Sequence, residues 1–211
     1  MAGTAAILDP SAIEAESFAI IDREVGEHGY DRRQWPVVRR IIHTTADFDF
    51  ARTTWFSSGA VEAGIAALRR GASILGDTHM VLAGVNKTRL AALGGDIRCH
   101  VADPEVAAQA RTLGITRSIL ATRKGVAAGC GIYLIGNAPT ALFELLHLAE
   151  AGAVSPALVV GVPVGFVGAE ESKEALFASG LPFITCRGRK GGSAIAAAIL
   201  NAMMLLAEKK A

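Results

Sequence analysis

Past residue 71 the chain repeats one unit: a short apolar run, a polar or glycine-rich turn, then a stretch of helical composition. The runs are Met80–Val85, Ile97–Val101, Ile132–Ile135, Leu158–Val160 and Phe183–Thr185. Strands separated by a helix do not pair as hairpins, and right-handed crossovers leave them parallel. The pattern therefore predicts an α/β fold: a doubly wound, mainly parallel sheet with helices on both faces.

Roughly the first seventy residues follow a different pattern and predict a helical N-terminal segment. Ser11, after Pro10, has the form of an N-cap with Glu14 as its reciprocal partner, and Phe18, Ile21 and Val25 continue at helical spacing. A second helix is expected after Asp31, with Pro36 near its first turn and Val37, Val38, Ile41 and Ile42 along it. A third should run from Ser58 to Arg70 and close at Gly71. Neither a linker nor an internal sequence repeat divides the 211 residues, so one domain, 1–211, is expected.

With 51% hydrophobic and 19% charged residues the chain can cover a sizeable core and is not disordered. A net charge of +1 argues against a general nucleic-acid binder, which needs a basic excess. Cys99, Cys130 and Cys186 are too widely separated for a metal motif and read as small buried residues of a reducing cytoplasm. Asp9, Glu14 and Glu16 interrupt the start before any signal-like apolar run develops. Ala194–Ala207 is too short to span a bilayer and contains Asn201, so a buried helix and no membrane partner are expected.

Ligands of open parallel sheets bind beyond the carboxyl ends of the strands. The loops expected there are Val85–Arg89, Gly136–Thr140, Gly161–Gly168 and Arg187–Ser193. Their glycines, following helices and cations suit an anionic ligand, with Asn86, Lys87, Asn137 and Lys190 as candidate contacts. For any single loop, tight turning explains the glycines equally well. No phosphate-loop or dinucleotide fingerprint is present, so a nucleotide-dependent oxidoreductase is disfavoured. Several separate anion-favouring loops instead suit one large ligand bearing several carboxylates.

His43, followed by Thr44, closes the second helical run and is the candidate acid–base residue, because imidazole exchanges protons near neutral pH. Most such histidines are structural. His28, His79, His100 and His147 lack the mutual spacing of metal ligands, and no metal is expected. Arg117, between Thr116 and Ser118, could clamp a carboxylate. Ser17 and Arg39 have no signal of their own.

Four segments together resemble one family: Ile42–Phe48, Gly136–Leu142, Gly161–Lys173 and Gly188–Ser193. Their order and composition are similar to those of precorrin-8X methylmutases, over about Glu16 to Leu205. The His43–Asp49 and Gly188–Ser193 runs, with Gly94–Pro104, are closer to the cobalt-precorrin-8 members. The resemblance implies a doubly wound homodimer that needs no separate cofactor. It implies an enzyme moving a methyl group from C-11 to C-12 of precorrin-8 or cobalt-precorrin-8, a tetrapyrrole polycarboxylate, with His43 as proton donor and acceptor. Ser17 and Arg117 fall on the family's substrate contacts. Arg39, Thr44, Asn86, Lys87, Asn137 and Lys190 complete the expected binding set. The rival from another class is a corrinoid-binding carrier without catalysis.

Overall fold

In the computed structural model, residues 9–209 are described; residues 1–8 and 210–211 of the expected domain lie outside them. The described elements are α1 (Pro10–Val25), α2 (Gln34–Thr45), α3 (Phe50–Thr53), β1 (Thr54–Phe56), α4 (Ala60–Arg69), β2 (Ser73–Gly76), α5 (His79–Gly84) and α6 (Lys87–Ala92). After them come β3 (Asp96–Arg98), α7 (Pro104–Leu113), α8 (Arg117–Ala127), β4 (Ile132–Ile135), α9 (Pro139–Glu150), β5 (Leu158–Gly161), α10 (Ala169–Ala178), β6 (Phe183–Cys186) and α11 (Ser193–Glu208). The sheet order is β1-β6-β5-β4-β2-β3, parallel throughout except for β1, which pairs antiparallel with β6. The doubly wound fold read from the sequence is the one observed.

Successive strand residues face opposite sides of a sheet. Accordingly Ile132 and Leu134 of β4 enter the core beneath α2, α4 and α11, whereas Tyr133 and Ile135 enter the opposite core. Both faces are covered, which is why these strands read as continuous apolar runs. The small residues Ala196, Ala197, Ala198 and Ala202 let neighbouring elements approach α11, which is buried along most of its length. Among the described residues no helix is long and apolar enough to cross a membrane.

The expected strand Met80–Val85 is a correction: most of it is α5, and the strand is the preceding Ser73–Gly76. Thr78 caps this helix by accepting from the Val81 N–H at 3.3 Å, and Val81 and Val85 are buried four residues apart, a helical spacing. Met80 is 71% exposed, which a central strand would not allow. A short apolar run satisfies either period, and the cap decided this one. The Val85–Arg89 segment therefore joins two helices. Asn201 fixes that junction, donating to the Gly84 carbonyl at 2.8 Å and accepting from the Asn86 N–H at 2.9 Å. The first helix also starts differently. Asp9 is its cap, accepting from the Ser11 N–H at 3.0 Å, and Pro10 takes the first position, where no N–H is needed. Glu14 is thereby released from the expected capping role.

Candidate active site at the carboxyl edge of the sheet

Chain progression reverses between β2 and β4, so the crevice beyond their ends is where an open sheet would take a ligand. Here that crevice is filled from within. The buried carboxylate of Asp77, directly after β2, accepts from the N–H groups of Gly136 at 3.2 Å, Asn137 at 2.7 Å and Ala138 at 2.8 Å. Burial pushes the Asp77 carboxyl above its usual range, opposed by these N–H groups. The loop expected to cradle a ligand anion already holds a protein one.

The other glycine loops are similarly committed. The Gly192 N–H donates to the Val162 carbonyl at 2.8 Å, and the Gly165 N–H to the Arg189 carbonyl at 3.2 Å. A Cβ on Gly191 would stand 2.2 Å from the Val162 carbonyl oxygen, and one on Gly136 would stand 2.6 Å from the Ser193 backbone. These glycines permit close approach between loops. From beneath, the buried ammonium of Lys173 donates to the Lys190 carbonyl at 2.7 Å, while burial holds that ammonium below its usual range. The polar groups not committed to backbone packing at this edge are side chains.

Lys190 is the first of these. Its ammonium donates to Asp47 and to Asp49, each at 2.6 Å, which ties the β6–α11 loop to the end of α2. The Lys190 ammonium holds the Asp47 carboxyl below its usual range. His43 sits in the last turn of α2, half-buried, with the Phe18 ring edge-on at 5.2 Å between ring centroids. The guanidinium groups of Arg39 and Arg40 lie over the same Phe18 ring at 4.3 and 4.8 Å. Arg39 turns to Asp22, with a 2.7 Å contact.

Arg40 instead lines a cleft of about 470 Å³ that runs along α11, with Thr44, Asn86, Arg89, Asn201 and Glu14 among its other walls. Two expected contacts, Thr44 and Asn86, thus line one cleft, and Thr44 directly follows His43 in α2. The Thr44 hydroxyl donates back to the Arg40 carbonyl at 2.8 Å, and the Asn86 side chain caps α6 through the Arg89 N–H at 2.9 Å. Ser17, on α1, donates to the Ile13 carbonyl at 2.8 Å. Lys87 is exposed in the first turn of α6, and Asn137 presents an exposed side chain above Asp77. Arg117 opens α8, where the Thr116 hydroxyl meets Thr140 at 3.1 Å and brings two helix starts together at this edge.

Sequence reasoning missed Asp77, Arg40, Arg89 and the role of Glu14. Asp77 was legible only as the acid following Ser73–Gly76, a run too short to announce itself. Arg40 and Arg39 adjoin in sequence, and only the position of α1 separates their tasks.

The fold and this edge define an open α/β protein whose candidate site is built from side chains, with its glycine loops spent on packing. The sequence model described as Precorrin-8X methylmutase matches residues 12–206, and the chain belongs to that family, whose members are isomerases. It is 46% identical over 202 residues to the cobalt-precorrin-8 methylmutase of Priestia megaterium, covering 95% of this chain and 90% of that one. It is also 46% identical over 202 residues to the precorrin-8X methylmutase of Pseudomonas aeruginosa, covering 93% and 96%. The solved precorrin-8X methylmutase of Thermus thermophilus aligns with a TM-score of 0.87 at 46% identity, over 93% of this chain and 96% of that one.

Proposed function

We propose that this enzyme shifts a methyl group from C-11 to C-12 of precorrin-8 or cobalt-precorrin-8, giving hydrogenobyrinate or cobyrinate, with His43 as proton donor and acceptor. The observation that carries this reading is the placing of His43: half-buried, edge-on to Phe18, one helical turn from the cleft wall Arg40 and next in sequence to the cleft wall Thr44. Its position in the last turn of α2, at the negative end of a helix dipole, suits a side chain that must carry positive charge.

The chemistry balances without a co-reactant. His43 protonates the conjugated ring, which draws electron density from the migrating centre. The bond from C-11 to the methyl carbon breaks as the bond to C-12 forms, and the proton then returns to His43. General acid–base help of this kind is worth about 10²–10⁴-fold, and holding one ring tautomer in a reactive shape contributes further. No cofactor is needed, and cobalt, where present, arrives inside the substrate. Arg40 and Arg89 share one cleft, Lys87 stands in the first turn of α6 and Arg117 at the start of α8, and this spread of cations suits acetate and propionate groups around a tetrapyrrole rim. Ser17, Arg39, Asn137 and Lys190 complete the substrate-facing set in this reading, and the enzyme acts in the cytoplasm.

The test is a visible-absorption time course of the purified protein with precorrin-8 and, separately, cobalt-precorrin-8. Migration changes ring conjugation, so catalysis gives a spectral shift over many turnovers. A single stoichiometric shift would identify a carrier and end the catalytic reading. Arg117→Ala is expected to weaken polycarboxylate binding about tenfold and to flatten its salt dependence, as loss of a charge-assisted contact does. Titrations unchanged at two salt concentrations would return Arg117 to solvent.

The protein is further proposed to be a homodimer. Phe166 and Val167, 83% and 90% exposed in one chain, form an apolar prominence that a second copy would cover. Light scattering at micromolar concentration should give twice the mass of one chain, and a monomer mass would remove the proposal.

A further inference from the structure

Resting on that reading, we infer that Arg40 is a carboxylate subsite and that Glu14 is its resident anion in the unliganded protein, a stand-in that one acidic arm of the substrate displaces. Glu14 reaches from α1 across the cleft mouth to pair with Arg40. The two partners are unequally held. The Arg40 side chain is 18% exposed and rests against the Phe18 ring, whereas the Glu14 side chain is 47% exposed. Rotation about the bonds of Glu14 alone frees the guanidinium, so the cation stays while the anion exchanges.

The surroundings favour this exchange over a permanent structural tie. Of the residues of α1 only Ile21, towards its far end, is buried, so the turn bearing Glu14 lies outside the core. Arg40, with His43 nearby, holds the Glu14 carboxyl below its usual range, which marks the place as one that favours a negative charge. The cleft also brings Arg89, itself paired with Glu208, as a second cation near Arg40, and its alanines offer apolar wall for the arm that carries the carboxylate. A half-exposed ion pair is weak, so a ligand anchored elsewhere by its ring can outcompete it.

The test is an absorbance titration with cobyrinic acid, which needs no turnover, on wild type, E14Q, R40Q and the double variant. Removing the competitor should make E14Q bind about two- to fivefold more tightly, the size of one partly exposed ion pair. R40Q should bind roughly tenfold or more weakly. E14Q should add nothing in the R40Q background, since the coupling runs through that guanidinium. A general field effect of the lost charge would persist there and would overturn the inference. So would unchanged or weaker binding by E14Q while wild type binds, an outcome that leaves the methylmutase reading standing. If folded wild type neither binds cobyrinic acid nor shifts the spectrum of precorrin-8, the substrate reading fails and this inference with it.

Discussion

Replacing His43 by alanine is expected to lower turnover about 10²–10⁴-fold, a rise of roughly 3–5 kcal/mol in the barrier. Binding of corrinoid should stay within a few-fold of wild type, because in the proposed reading the carboxylates are held by side chains other than His43. Stability should fall by no more than about 1 kcal/mol, since a half-buried ring loses chiefly its edge contact with Phe18. Single-turnover absorption traces, paired with an equilibrium titration, separate these effects. Turnover within a few-fold of wild type would remove His43 from the mechanism, whereas lost binding with it would make the histidine a structural support.

Asp77→Ala is expected to be the most destabilising single change at the site. It leaves the N–H groups of Gly136, Asn137 and Ala138 without their acceptor in a buried crevice. Each buried unsatisfied group costs about 1–3 kcal/mol, and partial entry of water makes the sum less than additive, so a loss of about 3–5 kcal/mol is expected. In a domain of this size that corresponds to a fall of roughly 6–20 °C in melting temperature. A melting point within about 2 °C of wild type would mean that the three groups find other partners at little cost.

The same carboxyl gives a signed pH dependence. Because burial raises its folded-state value, the folded chain binds this proton more tightly than the unfolded chain does. The stability it contributes is then fullest below the ordinary Asp value of about 4 and declines as pH rises through the folded value. Asp77→Asn cannot titrate, so the stability of wild type relative to it should decrease over that rise. The opposite slope would show that the three N–H groups outweigh burial.

Against these expectations, some features of the molecule were legible in the sequence and others were not. The alternation of apolar runs and helices was sufficient for the doubly wound sheet, because buried parallel strands need crossovers and crossovers need length. His43 and its motif were visible because the residues of that motif adjoin along the chain. The Met80–Val85 run misled because six apolar residues satisfy both periods, and the Thr78 cap that resolves them depends on the turn after β2. β1 escaped notice because three residues become a strand only when β6 offers its edge.

The tertiary structure alone decided how the site is built. Glycine-rich loops at strand ends announce anion binding in sequence, yet here their N–H groups are spent on Asp77, Val162 and Arg189. A sequence names donors but not the acceptor that reaches them from another strand. Likewise Arg39 and Arg40 are adjacent cations until α1 docks and assigns one to Asp22 and the other to Glu14. Periodicity and motif are local and travel with the chain. Pairing of charges and filling of a crevice depend on residues tens of positions apart, and only the folded chain brings those together.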